Sequence, residues 1–116
     1  MSYTPRRAPK RLLNEDCPKE VLAIYDNGGK TFDRYTVIYN CVTFYNGIYT
    51  VFYRGMSEYP SDPQGFGISG ELNSWELAAY RKRVYRDYAK WSDMPEDVKN
   101  AVRDDCRLIR EDSHNV

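Results

Sequence analysis

Carboxylates are the side chains in this sequence that come nearest to a catalytic set. Those in or beside predicted loops are Asp26, Asp33, Glu58, Asp62 and Glu71. A pair of carboxylates can act as general acid and base or can hold a magnesium ion. Loop carboxylates are far more often turn formers or solvated charges, and the single histidine, His114, lies close to the end of the chain. Because no Ser-His or Cys-His pair is available within the domain, we predict that the protein is not an enzyme.

The cysteines indicate neither a metal site nor a disulfide framework. There are three of them, Cys17, Cys41 and Cys106, widely separated and without a Cys-x-x-Cys motif. A structural zinc site needs about four Cys or His ligands at close spacing. We therefore predict reduced thiols, with Cys41 and Cys106 packed as small hydrophobic side chains, and no metal or other cofactor.

Tyrosine and arginine point to a different chemistry, the recognition of nucleic acid. The sequence has 11 tyrosines and a basic stretch over residues 81–90. On an exposed sheet face, Tyr39, Tyr45 and Arg54 could stack on bases while Arg81 and Arg83 contact phosphates. The 17 basic and 17 acidic residues cancel, however, which weighs against a nucleic-acid coat. An RNA- or DNA-binding module is thus an alternative interpretation.

The segment 55–73 has the composition of a long ordered loop. Its glycines and prolines argue against a regular element, while its apolar side chains argue against disorder. Loops of this kind often carry binding residues. We predict a binding site around this loop, the hairpin before it and the basic stretch after it. The candidate residues are Tyr45, Arg54, Glu58, Tyr59, Gln64, Phe66, Trp75, Arg81 and Arg83. In a variant of this hypothesis, the loop sequesters a small nucleotide signal with Gln64, Arg54 and backbone amides.

A β-hairpin centred on Asn46-Gly47 is the strongest structural signal in the sequence. Two β-branched and aromatic runs flank this dipeptide, which suits a two-residue turn. Such a turn predicts the cross-strand pairs Tyr45 with Ile48, Phe44 with Tyr49, Thr43 with Thr50, and Val42 with Val51. We predict that the core face carries Val42, Phe44, Tyr49, Val51 and Tyr53. The opposite face then carries Cys41, Thr43, Tyr45, Ile48, Thr50 and Phe52.

Two further runs extend the predicted sheet. Val21–Tyr25 and Tyr35–Tyr39 have strand composition, and turn-forming residues separate them. Together with the hairpin they predict a four-stranded antiparallel meander. Because Asn40 alone leaves little room to reverse the chain, the runs at 35–39 and 41–45 can instead form one long strand bent by a bulge.

Helices are predicted after the loop. Residues 74–91 fit a helix capped by Ser74, although their aromatic content leaves a strand open for 83–91. Ser92 to Glu96 start a second helix, whose apolar stripe is Val98, Ala101, Val102, Cys106 and Ile109. We predict an α+β domain over 17–112, with a flexible basic tail over 1–16 and a frayed end over 113–116.

Three stretches of the sequence carry a family resemblance. They read VLAIYDNGGKT followed by DRYTV, GMSE followed by PQGFG, and SDMPEDV. Over about residues 18–110 the chain resembles a family of small, largely uncharacterised proteins of tailed bacteriophages and related prophage regions. The resemblance implies a viral setting and no agreed activity. Family members have His where this chain has Tyr59, Asp62 or Ser69, so histidine-dependent chemistry is not expected here.

These observations favour a protein that acts by binding. Tyr, Trp, Met and Arg are the side chains that interfaces favour. The leading hypothesis is a non-enzymatic phage accessory protein that binds a host or viral macromolecule, such as a component of a CRISPR defence system. A protein is the expected partner and nucleic acid the alternative, with no membrane association. Apolar residues on the second hairpin face are compatible with a homodimer. The expected location is the cytoplasm of the bacterial host.

Overall fold

The computed structural model describes residues 8–28, 33–45, 47–58, 69–73, 75–76 and 88–114. A short helix α1 (Lys10–Leu13) precedes the strands β1 (Val21–Asp26), β2 (Tyr35–Tyr45), β3 (Ile48–Met56) and β4 (Ser69–Asn73). A 3-10 helix (Trp91–Asp93) and the long helix α2 (Glu96–His114) follow. The strands form one four-stranded antiparallel sheet in the order β1-β2-β3-β4, which confirms the predicted α+β class.

The β2–β3 hairpin has the predicted register. Tyr45 pairs with Ile48, Thr43 with Thr50, and the pairing continues regularly to Val42 and Val51. Gly47 has φ of +77°, a left-handed conformation that glycine adopts without strain. The two residues between the strands therefore set the register of the whole hairpin.

β2 is one long strand over residues 35–45, which confirms the prediction of a single strand with a bulge. The other prediction, in which the chain reverses at Asn40 between two strands, is wrong. Its pairing with β3 shifts between Ile38 and Val42. Within this interval the Asn40 amide donates to the Glu20 carbonyl at 2.6 Å. The irregularity thus bends β2 without ending it, and divides the strand into a part that pairs with β1 and a part beyond it.

The fourth strand lies where the sequence predicted loop. Ser69–Asn73 pairs with β3 from Arg54 to Thr50, and Gly55 is inside β3. Gly55 serves a close approach and not a turn, because a Cβ atom there would lie 2.5 Å from Asp33 Oδ2. The predicted loop therefore contributes strand at both of its ends, and 59–68 lies outside the described residues.

Most of the predicted helix 74–91 also lies outside the described residues. Trp75 and Glu76 are helical. Ser74, the predicted cap, lies outside the described residues, and Asn73 caps this turn. The Glu76 amide donates to Asn73 Oδ1 at 3.0 Å, and the Asn73 amide donates to Glu76 Oε1 at 3.2 Å, which is a capping box. At the other end the helix prediction is wrong, because Tyr88 forms an antiparallel bridge with Tyr25.

Helix α2 covers the sheet with the predicted apolar stripe. Val98, Val102 and Cys106 are fully buried, Ala101 is nearly so, and Ile109 packs against this core. The helix starts after Pro95, whose carbonyl accepts from the Lys99 amide, and it extends to His114, beyond the predicted end. Among the described residues, no helix is long and apolar enough to cross a membrane.

The described part of the predicted N-terminal tail belongs to the domain. Ala8 and Leu13 are buried in the core, with Leu13 only 1% exposed. The Ala8 amide also donates to the Leu22 carbonyl of β1 at 2.6 Å. The flexible-tail prediction is therefore wrong for residues 8–16, because two apolar side chains among the charges are sufficient to fix this segment. Residues 1–7 lie outside the described residues.

Leu13→Ala tests whether this segment stabilises the domain. We expect it to lower the free energy of unfolding by about 2–5 kcal/mol, because it removes a fully buried side chain. Leu12→Ala, next to it and only partly buried, should cost about 1 kcal/mol or less. Urea unfolding of both variants measures the difference. Equal effects would contradict the packing of Leu13.

Candidate functional site

The described part of the chain contains only some of the predicted binding residues. Tyr59, Gln64, Phe66, Arg81 and Arg83 lie outside the described residues. Tyr45 is described by its backbone, which ends β2. The side chains that can be assessed are therefore those of Arg54, Glu58 and Trp75.

Arg54 takes part in a buried polar cluster. Its Nε lies 2.8 Å from Asp105 Oδ2, and the Tyr39 hydroxyl donates to the same carboxylate oxygen at 2.7 Å. Tyr39 is fully buried and Asp105 is 5% exposed. These contacts join α2 to β2 and β3, so Tyr39 and Arg54 are not available to stack on bases, contrary to the expectation for a nucleic-acid face.

The electrostatics of this cluster follow from its burial. Desolvation raises the pKa of the Asp105 carboxyl above its ordinary value, although the Tyr39 hydrogen bond and the Arg54 charge oppose this rise. Burial, together with the neighbouring Asp105 charge, raises the pKa of Tyr39 above its usual range. Because its pKa is raised, Tyr39 stays protonated near neutral pH and does not act as an acid or base there. Its role in the cluster is to donate a hydrogen bond to Asp105.

Glu58 belongs to a second cluster, organised by Arg34. The Arg34 guanidinium contacts both oxygens of Asp26 and lies 2.7 Å from Glu58 Oε2. The Gly28 amide also donates to Asp26 at 2.8 Å. The hydrogen bond from Arg34 lowers the pKa of Asp26, against the effect of partial burial. The arginine therefore neutralises two of the five carboxylates among which the sequence offered an acid–base or magnesium pair.

The other candidate carboxylates that the structure describes do not complete a metal site. Glu71 accepts a hydrogen bond from the Thr50 hydroxyl on the outer part of the sheet, and Asp62 lies outside the described residues. Among the described residues, no group of three or more His, Cys, Asp or Glu side chains could hold a metal ion. Arg34, which was not among the predicted residues, lies directly before β2. The predicted pairing of the runs at 21–25 and 35–39 could have indicated that it lies close to Asp26, because Asp26 pairs with Tyr35.

The three cysteines form no disulfide with one another. Cys106 is fully buried and Cys41 partly buried, as expected for packed side chains, and Cys17 is buried as well. Burial raises the pKa of the Cys106 thiol to about 12. Since the thiolate is the reactive form, Cys106 is a packing residue and not a nucleophile.

A cavity of about 600 Å³ lies between the turn after α1 and the end of α2. Residues 13–20 and Arg110 line it. Two of its charges are paired with each other, because Arg110 Nη1 lies 2.9 Å from Glu20 Oε1. The Glu20 side chain is 9% exposed, so the cavity offers a ligand little of this carboxylate.

The end of the β2–β3 hairpin carries an exposed apolar surface. We call Val42, Phe44 and Tyr49 the hairpin patch; they share one face of the two strands. Their exposed fractions are 36%, 62% and 38%. The rings of Phe44 and Tyr49 lie 4.6 Å apart between centroids. This face was predicted to be core, which is correct at the buried Val51 and wrong at the hairpin patch.

Two further apolar side chains lie at the same end of the sheet. Ile48, on the opposite face of the hairpin, is 49% exposed, and Trp75 is 85% exposed. Trp75 lies two residues after Asn73, which pairs with Thr50 near the start of β3. Of the predicted binding residues that can be assessed, Trp75 is thus the one with a freely accessible side chain.

No protein-family model, curated protein or solved structure matches this chain.

Asp105→Asn tests the buried cluster. We expect a loss of about 2 kcal/mol in the free energy of unfolding, because the buried end of Arg54 loses its counter-charge. Asp104→Asn, at the neighbouring exposed position of α2, is the matched control and should change stability by about 0.5 kcal/mol or less. If chemical denaturation gave equal values for both variants, the cluster would not tie α2 to the sheet.

Asp26→Asn tests the Arg34 cluster through its pH dependence. A carboxyl whose pKa is lowered by folding stabilises the protein above its ordinary pKa of 3.8, and this contribution is lost as the pH falls through the folded pKa. The wild type should therefore exceed the variant by about 1 kcal/mol or less near pH 7, and this difference should shrink below pH 3.8. Urea unfolding curves of both proteins, measured at several pH values from 7 down to below 3.8, check this prediction. It would be contradicted if the difference in free energy of unfolding did not change with pH.

Proposed function

We propose that this chain is a non-enzymatic accessory protein of a bacteriophage that binds a host or viral macromolecule. The partner class to test first is a protein component of a bacterial defence system such as CRISPR. The viral setting comes from the resemblance carried by residues 21–37, 55–67 and 92–98. The binding role is carried by a single structural observation, the exposed hairpin patch.

The hairpin patch has the chemistry of a protein interface. Monomeric proteins rarely expose large contiguous apolar surfaces without a functional reason. Phe44, Tyr49 and the neighbouring Trp75 are of the aromatic types that interfaces concentrate. Trp and Tyr are also enriched among the residues that contribute most to binding free energy. The patch is therefore the part of the described surface that best fits a partner protein.

The described contacts favour neither alternative. The nucleic-acid version relied on Tyr39 and Arg54, which are committed to Asp105. The nucleotide-sequestering version also relied on Arg54, together with Gln64, which lies outside the described residues. We therefore keep one proposed function, and leave nucleic acid and nucleotides as outcomes of the test.

The test is a tagged pull-down from phage-infected cells, with and without nuclease, analysed by mass spectrometry. We expect one stoichiometric protein that survives nuclease and is recovered at least ~10-fold less with Phe44→Ala, because Phe44 is a large exposed contact in the patch. Leu108→Ala is the matched control; Leu108 is 52% exposed on α2, and its loss should leave recovery unchanged.

Three outcomes would contradict this proposal. Recovery that vanishes with nuclease would indicate nucleic acid. Recovery that both variants reduce equally would indicate a contact elsewhere on the protein. An empty lane combined with thermal stabilisation by a small nucleotide would indicate a sequestering protein.

A further inference from the structure

The outer part of β2 forms an open sheet edge in the described structure. β1 pairs with β2 only from Tyr35 to Tyr39, and the Asn40 amide makes the next contact, to Glu20. Beyond that point, the only described strand beside Val42–Tyr45 is β3. Val42, Thr43 and Phe44 are all exposed.

The hairpin register shows which backbone groups face this edge. In an antiparallel ladder, opposed residues alternate between pairs that exchange hydrogen bonds and pairs that do not. With a two-residue loop, the pair next to the loop, Tyr45 and Ile48, exchanges them. Thr43 therefore bonds to Thr50, while the N–H and C=O groups of Val42 and Phe44 point away from β3. An edge of this kind accepts a further strand.

The open edge of β2 carries no charge, which distinguishes it from the other edges of the sheet. Residues 41–53 contain no charged side chain, so the edge lacks the charges that usually prevent strands from associating. The other sheet edges differ. β4 has Glu71 at its centre, and β1 contacts Ala8 and the segment at Tyr88 and Ala89.

We propose that Val42–Phe44 pairs with the same segment of a second copy of this chain, antiparallel and about a two-fold axis at Thr43. This arrangement is self-complementary, as a two-fold interface must be. Val42 lies opposite Phe44 of the other copy and exchanges backbone hydrogen bonds with it, while Thr43 lies opposite Thr43. Apolar side chains meet apolar side chains, and threonine pairs are favourable across strands.

The dimer joins the two sheets edge to edge and brings both hairpin patches onto one face. It thereby doubles the apolar surface without covering it. The pairing depends on the backbone edge and the Thr43 position, not on the partner protein proposed above. Self-association and partner binding can therefore succeed or fail independently.

The test uses charge at the two-fold axis. Thr43→Lys places two like charges opposite each other across the dimer, and so does Thr43→Glu. We expect the wild type to dimerise with rising concentration in sedimentation velocity, and each variant to weaken dimerisation at least ~10-fold. An equimolar mixture of the two variants should restore dimers, because lysine then faces glutamate.

Thr50→Lys is the matched control. Thr43 and Thr50 share a hydrogen bond of 2.6 Å between their hydroxyls, so both lysine variants lose this contact on the same face. Thr50→Lys also loses the hydrogen bond to Glu71, which makes it the more disruptive change within one copy. Thr50 is on the inner strand, however, and its variant should dimerise like the wild type. A monomeric wild type, dimers of undiminished affinity in Thr43→Lys, or a mixture that stays monomeric would each overturn the proposal.

Discussion

The position of α2 on the sheet depends on the contacts of one buried carboxylate, that of Asp105. A charge taken out of water is tolerated only when it is paired and hydrogen-bonded, and here the partners come from two neighbouring strands, Tyr39 of β2 and Arg54 of β3. The position of α2 along the sheet is thereby tied to those two residues. Tyr39 is also the last residue of β2 that pairs with β1, so the helix is anchored at the point where the sheet narrows.

This anchoring divides the β2–β3 hairpin into two parts with different physical chemistry. In the inner part and directly beside it, charges are paired: Arg54 of β3 with Asp105, and Arg34, just before β2, with Asp26 and Glu58. In the outer part, residues 41–53 carry no charge at all. The register shift between Ile38 and Val42 lies at this division. A bulge increases the local twist of a strand. Beyond the shift, Val51 is fully buried, whereas Val42, Phe44 and Tyr49 on the same face are exposed.

The sequence predicted the features that local signals determine. The two-residue loop fixed the hairpin register, and the spacing of Val98, Val102 and Cys106 identified the buried face of α2. Contacts between distant segments were missed: β4 is held by its pairing with β3, and Ala8 and Leu13 by the core. The sequence does contain one signal for the buried cluster at Asp105. Asp105 lies three residues after Val102 and four before Ile109, within the apolar stripe, and a charge at such a position indicates a buried partner.

The assignment of exposed and buried side chains failed for a related reason. Period-two alternation shows which residues share a face, but not how far along the hairpin that face is covered. Tyr39 and Arg54 were expected at the surface, but Tyr39 is fully buried and Arg54, with 26% of its side chain exposed, is paired with Asp105. Phe44 was expected in the core and is 62% exposed. The covering of a sheet face depends on which distant segments pack against it, and alternation carries no information about those segments. Proteins usually protect exposed strand edges with charges or proline, and this hairpin has neither at its open end. An uncharged edge with an apolar face beside it is the feature on which the proposed association rests.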